Sequence, residues 1–226
     1  MSAAEFKRSA LEVGEWLWGA VQGGFNDKLS IGQIAFDATL SAFPIAGEVT
    51  AARDVIAQLI RMSKAPKLWQ EVMEWVALLL PLLAIVPLLG GLLKGIGKLV
   101  MKAGKSAAQD REILQAIIQL CNRLGHGDAV KFVKQLDFAK YQGKLIEGFN
   151  TICQRIDDTL RVLSDRLKSV LPKEVLEEFA DLQNALAKLK EQGGRMIPEA
   201  IKELNARLKK YRRSSMKVNG IRSRPP

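Results

Sequence analysis

The stretch Trp75–Leu93, WVALLLPLLAIVPLLGGLL, holds 19 consecutive residues without an ionisable group. As one helix it would rise about 28 Å, close to the roughly 30 Å hydrocarbon thickness of a bilayer. Glu71 and Glu74 precede it, and Lys94, Lys98 and Lys102 follow. Lysines just outside a span snorkel to headgroups and tend to stay cytoplasmic. Trp69 and Trp75 stand at the entry side, where an interfacial aromatic belt would lie. On this reading Trp75, Leu79, Pro81, Leu83 and Ile85 form the first part of an inserting segment. Pro87, Gly90, Gly91, Lys94 and Lys98 form the second.

Two prolines interrupt a simple span. Each removes an intrahelical hydrogen bond and restricts the residue before it, although membrane helices tolerate proline better than water-exposed ones. The run therefore reads as a kinked span, a re-entrant segment, or a helical hairpin turning at Pro87-Leu88-Leu89-Gly90-Gly91. In the hairpin, Leu92–Val100 is the second arm, Gly95 and Gly97 allow close packing, and Lys94, Lys98 and Lys102 share one side. The competing interpretation buries the same hairpin inside a helical bundle.

The flanking sequence is helical in pattern. Residues 5 to 24 carry one broad apolar side, with Trp16 and Trp18 suited to an interface. A second apolar helix runs from Ile31 to Phe43, with Asp37 as its one charge, and a third from Glu48 to about Met62. Further on, Phe149, Ile152, Ile156, Leu160, Leu163, Leu167 and Leu171 hold one helical face at intervals of three and four. Leu176, Phe179, Leu182, Leu186 and Leu189 continue the pattern up to Gly193-Gly194, which reads as a stop. A basic helix from Pro198 to Tyr211 follows. The spacing suits an antiparallel helical hairpin or a coiled-coil-like partner surface. No series of short β-branched runs between turns is present, so the chain reads as all-α. Its expected organisation is a hydrophobic helical region over 1–104, an amphipathic bundle or stalk over 105–213, and a basic disordered tail over 214–226.

The formal net charge of +10 is unevenly placed. Arg207, Lys209, Lys210, Arg212, Arg213, Lys217, Arg222 and Arg224 meet no acid in the last twenty residues. Such a stretch attracts anionic lipid, nucleic acid or an acidic protein without distinguishing among them. Arg207, Lys209, Lys210, Arg212 and Arg213 are the candidate contacts to lipid or another anionic partner. Nucleic acid is disfavoured because neither a recognised reader motif nor an aromatic stacking platform accompanies them.

Catalytic and metal chemistry find no foothold. The chain has one histidine, His126, which reads as a loop residue, and two distant cysteines, of which Cys153 reads as a small buried hydrophobe. GGLLKGIGK at 90–98 lacks the spacing and preceding strand of a phosphate loop. Asp157-Asp158 and Glu177-Glu178 read as solvated helix faces. No enzyme, cofactor or metal is expected. The amino terminus has no apolar signal-peptide core, so synthesis and initial residence are expected in the cytoplasm.

The segments GEWLWGAVQGGFNDKLSIGQIAFDATLSAFPIAGEVTAARDVIAQL and KLWQEVMEWVALLLPLLAIVPLLGGLLKGIGKLV resemble a hydrophobic helical region of bacterial polymorphic toxins. That region lies upstream of the toxin domain in Rhs-type and related effectors of the type VI secretion system. Trp18, Gly19, Gly23, Phe25, Asn26, Pro44, Gly47, Arg53, Asp54, Trp75, Pro87, Gly90 and Lys94 carry the resemblance, over roughly residues 10 to 125. It implies a pre-toxin or translocation region that a secretion chaperone shields, exported by type VI secretion and inserted into a target cell's inner membrane. It supplies no catalytic residue, and no spike-binding domain, Rhs repeat shell or ordinary toxin domain is recognisable here. The leading expectation is therefore a non-enzymatic membrane-insertion or translocation module. A pore-forming antibacterial toxin that self-associates is one alternative; a soluble helical interaction or adaptor protein, with the apolar hairpin as its core, is another.

Overall fold

The computed structural model describes residues 46–102, 106–124, 128–169, 171 and 173–222, with side chains described outside 46–52, 167 and 214–222. The helices expected over 5–24 and 31–43, with Trp16, Trp18 and Asp37, lie outside the described residues, as does His126. Seven α-helices are described: α1 (Ala46–Ser63), α2 (Val72–Leu82), α3 (Gly90–Met101), α4 (Ala107–Arg123), α5 (Ala129–Gln135), α6 (Gln142–Leu167) and α7 (Lys173–Arg222). Short 3-10 turns occupy Pro66–Gln70, Leu83–Ile85 and Phe138–Tyr141, and no strand occurs among the described residues. The chain forms two compact units. Among the described residues, one comprises 46–71 together with Ile146–Gly194; the other comprises Val72–Leu145 and 195–222.

The apolar run belongs to the second unit, and it is not a membrane-type helix. It folds as α2, the 3-10 turn at Leu83–Ile85, a corner at Pro87-Leu88, and α3. α2 and α3 have 11 and 12 residues, so each rises only about 16–18 Å, little more than half of what a bilayer demands. Among the described residues no helix is long and apolar enough to cross a membrane. This corrects the expected spanning helix, and with it the membrane-insertion module, the pore and the inner-membrane location built on that helix.

The residues assigned to insertion find other surroundings. Trp75, Leu79 and Leu83 are wholly buried in the core, and Pro81 is buried within α2. Ile85 and Lys94 are half-buried, whereas Pro87, Gly91 and Lys98 are exposed. Trp69 is half-buried in the first unit, its indole Nε1 donating to the Met62 carbonyl at 2.8 Å rather than facing an interface.

Why the run doubles back follows from its punctuation. Pro81 can offer no amide hydrogen, and α2 passes into a 3-10 turn one residue after Leu82. At the corner Leu88 adopts φ 64°, the left-handed region, with its side chain fully exposed at 101%. Gly90 restarts the helix where a Cβ would lie 2.0 Å from the Ala84 carbonyl oxygen. Only glycine admits that approach. At Gly97 a Cβ would meet Leu80 Cδ2 at 2.7 Å and Leu83 Cδ1 at 3.1 Å, so the second arm lies tightly on the first. α3 also packs on α4, and α4 on α5. Val76, Leu78, Leu82, Leu92, Leu93, Ile96 and Val100 are all at most 2% exposed. Burying each stabilises by about 1.5–3 kcal/mol relative to exposure.

α6 and α7 supply the first unit with its long stripes. Phe149, Ile152, Ile156, Leu160 and Leu163 are buried on α6, and Phe179, Leu186 and Leu189 on α7. Gly193-Gly194, read from the sequence as a stop, lies inside the continuous 50-residue helix α7, as does Pro198. The reason is packing. A Cβ at Gly193 would stand 2.4 Å from Phe149 Cε1, so the residue is small to admit a ring, whereas a Cβ at Gly194 would meet nothing within 4 Å.

Three outcomes follow for thermal or chemical unfolding of the full chain. Gly194→Ala should stabilise by up to about 1 kcal/mol through helix propensity, while Gly193→Leu should destabilise by about 1–3 kcal/mol by driving into Phe149. Leu88→Gly should raise the unfolding midpoint, because a leucine in the left-handed region costs about 1 kcal/mol that glycine does not.

Candidate functional site

The described residues present two sites with polar chemistry, one in each unit. In the second unit the carboxy-terminal part of α7 closes the ends of neighbouring elements. The Tyr211 hydroxyl lies at 3.2 Å from the Val100 carbonyl and also contacts the Lys102 carbonyl, at the end of α3. Those carbonyls have no partner within α3, so a hydroxyl from α7 meets a need that every helix terminus has. Arg212 Nη2 donates to the Leu136 carbonyl at 2.6 Å, at the end of α5. A cation is favoured there by the helix dipole.

A third contact comes from Asn205. Its Oδ1 accepts from the Phe138 amide at 3.1 Å, and its Nδ2 donates to Asp137 Oδ1 at 2.6 Å. The same Asp137 oxygen accepts from the Ala139 amide at 2.9 Å, which caps the 3-10 turn.

This arrangement sorts the basic residues singled out in the sequence. Arg212 is turned inward, and burial lowers its affinity for a proton, partly offset by the Asp137 carboxylate. Arg207 pairs with Glu203 at 2.6 Å and touches the Met73 sulfur at 3.8 Å. Lys210 lies 3.5 Å from the buried Asp110 carboxylate and 5.6 Å from the Tyr211 ring centroid. Lys209 and Arg213 are exposed. They stand two residues either side of Tyr211, about 160° round the helix from it and so away from the face that meets the end of α3. The result is an exposed basic face on a stretch of α7 that is held in place by hydrogen bonds from its opposite face.

The other site is a half-open groove of about 390 Å³ between α6 and α7 in the first unit. Cys153, Gln154, Asp157 and Arg161 line it from α6; Gln183, Asn184, Leu186 and Lys190 line it from α7, with Ala180 and Ala187. Asp157 accepts on both oxygens, from Arg161 Nη2 at 2.7 Å on one and from Gln183 Nε2 at 2.8 Å on the other. Lys190 Nζ donates to Gln154 Oε1 at 3.1 Å, and Gln154 Nε2 passes the chain on to Asp158 Oδ1 at 3.1 Å.

Asp157 was read from the sequence as part of a solvated face. Only the register of α7 against α6 reveals it as a groove residue, and Gln154, Gln183, Asn184 and Lys190 carry no motif that would have singled them out.

Cys153 forms part of the floor at 2% exposure. Burial pushes its thiol up to about 12, opposed by the nearby Lys190 charge. A thiol held neutral so far above neutrality is a poor nucleophile. Burial pushes the Cys121 thiol up as well. No group of histidine, cysteine and carboxylate side chains that could hold a metal occurs among the described residues.

No known protein family, curated protein or solved structure matches this chain. The resemblance to the pre-toxin region of type VI and Rhs-type effectors is therefore corrected on two counts. No family relationship supports it, and the hydrophobic hairpin that carried most of its meaning is the core of a helical unit.

The raised Cys153 value has a definite sign. The thiol ionises near 9 when unfolded and near 12 when folded, so its contribution to stability is complete below pH 9 and is lost as pH rises from there toward 12. Unfolding followed across that range should show this alkaline decline, and Cys153→Ala should flatten most of it. In native protein at neutral pH a thiol reagent should leave Cys153 unmodified.

Proposed function

We propose that this chain is a non-catalytic helical interaction protein, and that the cationic end of its second unit docks an acidic protein surface. The observation that carries the reading is the division of labour along one stretch of α7. Asn205, Tyr211 and Arg212 are committed to holding neighbouring elements in place. Lys209 and Arg213, on the same two turns, remain exposed.

Cations carried on a helix that is already held in place need no backbone ordering on binding, which favours association with a complementary arrangement of carboxylates. Charge of one sign on a rigid end also raises the encounter rate with an oppositely charged partner, in a salt-dependent way. The apolar hairpin contributes to this function only as the core that supports the end. Among the described residues, the non-catalytic reading is supported by the buried, neutral thiol at the groove floor and by the hydrogen bonds that both Asp157 oxygens accept.

The test is fluorescence anisotropy of a labelled oligoglutamate peptide titrated with the full chain over a range of salt. Binding should weaken steadily with ionic strength, and the double variant Lys209→Glu/Arg213→Glu should weaken it by roughly tenfold or more at low salt. Undiminished binding by that variant, or capture of phosphatidylserine vesicles in preference to the peptide, would overturn the reading.

A further inference from the structure

We propose, independently of the docking reading, that Met73 is a site of oxidation by peroxide and that its sulfoxide fastens α2 to α7 through Arg207.

Exposure singles out the side chain. Of the methionines whose side chains are described, Met62 and Met196 are buried and Met101 is half-buried, whereas Met73 is 46% exposed. A dissolved oxidant therefore reaches the Met73 sulfur first.

What the sulfur faces gives the site its consequence. It lies 3.8 Å from Arg207 Nη2, within the same compact unit but across 134 positions of sequence. Arg207 does not swing freely. Its Nε donates to Glu203 Oε1 at 2.6 Å, one turn earlier on α7, and both side chains are half-buried. The ion pair thus holds the guanidinium with Nη2 turned toward α2. A thioether accepts hydrogen bonds weakly, so the contact in its reduced form contributes little.

Oxidation changes the acceptor. A lone pair on sulfur attacks one oxygen of hydrogen peroxide and the O–O bond breaks. The transferred oxygen gives its proton to the departing hydroxide, which leaves as water. Sulfur has lost two electrons, the peroxide has gained them, and thioether plus peroxide have become sulfoxide plus water. The new oxygen carries the negative end of a strong S–O dipole, on an atom 3.8 Å from a guanidinium nitrogen. An oxygen there bridges the gap, with small side-chain adjustments giving the roughly 2.7–2.9 Å of a charge-assisted hydrogen bond.

The sign of the effect follows from position. Sulfoxide formation in a core destabilises, because it places a polar group among apolar ones. Met73 is the second residue of α2 and stands at the surface, so the oxygen keeps water on one side and gains Arg207 on the other. Oxidation at this position strengthens the fold. Glutamine has nearly the shape of methionine sulfoxide, with its amide oxygen in place of the sulfoxide oxygen, so Met73→Gln supplies the acceptor permanently.

The experiment treats the full chain with dilute hydrogen peroxide, locates the oxidised methionines by peptide mass spectrometry, and follows thermal unfolding by circular dichroism. Met73 should be oxidised ahead of Met62, Met101 and Met196. When it is the one oxidised among these four, the unfolding midpoint should rise by about 2–4 °C. A methionine sulfoxide reductase should return the midpoint to its starting value. Met73→Gln should give the rise without peroxide. In an Arg207→Gln background neither the oxidation nor Met73→Gln should raise the midpoint, which separates the proposed hydrogen bond from a general effect of polarity at residue 73. Oxidation of a buried methionine before Met73, an unchanged or lowered midpoint on Met73 oxidation, or equal shifts with and without Arg207 would each overturn the proposal.

Discussion

The folding-back of the apolar run at Pro87–Gly90 is the constraint on which the second unit depends. A continuous helix through Trp75–Leu93 would leave a large apolar surface with no protein to cover it. Breaking it into α2 and α3 lets each arm cover the other. The break has a physical cost, visible as a leucine held at φ 64° and exposed to solvent. Gly90 makes the return possible, because a Cβ there would collide with the Ala84 backbone, and Gly97 lets the leucine side chains of the first arm lie close against the second. Packing of the two arms, worth several kcal/mol for each pair of leucines removed from water, outweighs a strain of about 1 kcal/mol at the corner.

Once the hairpin is formed, its ends still carry backbone groups without helical partners. The carboxy-terminal part of α7 meets them with Tyr211 at the end of α3, Arg212 at the end of α5, and Asn205 on the turn before α6. Residues that look alike in the sequence therefore have different work. Arg212 and Arg213 are neighbours, yet one is drawn in by a carbonyl while the other stays in solvent. The same logic operates in the first unit, where hydrogen bonds among Gln154, Asp157, Arg161, Gln183 and Lys190 align two helices and leave a groove with spare donors.

Glycine pairs show how far local rules reach. Gly90-Gly91 and Gly193-Gly194 are identical dipeptides, and either could end or begin a helix. The first starts α3; the second lies within α7. What distinguishes them is the neighbour each faces, the Ala84 carbonyl in one case and the Phe149 ring in the other. Neither neighbour is close in sequence to the second pair, so no local pattern could separate the two roles.

By itself the sequence determined the helical character of the described chain and the buried faces of its long helices. Intervals of three and four put Phe149, Ile152, Ile156 and Leu160 on one side whatever they pack against, because helix geometry is local. It also bounded the chemistry, since a single histidine and two distant cysteines leave little to build a metal site from. Tertiary structure alone decided whether 19 uncharged residues meet lipid or each other, because hydropathy measures aversion to water and does not say which surface will exclude it. It alone decided which of five clustered cations remain exposed and that Asp157 belongs to a groove. Those outcomes depend on helix register and on long-range hydrogen bonds between residues as far apart as 134 positions, separations over which local periodicity carries no information.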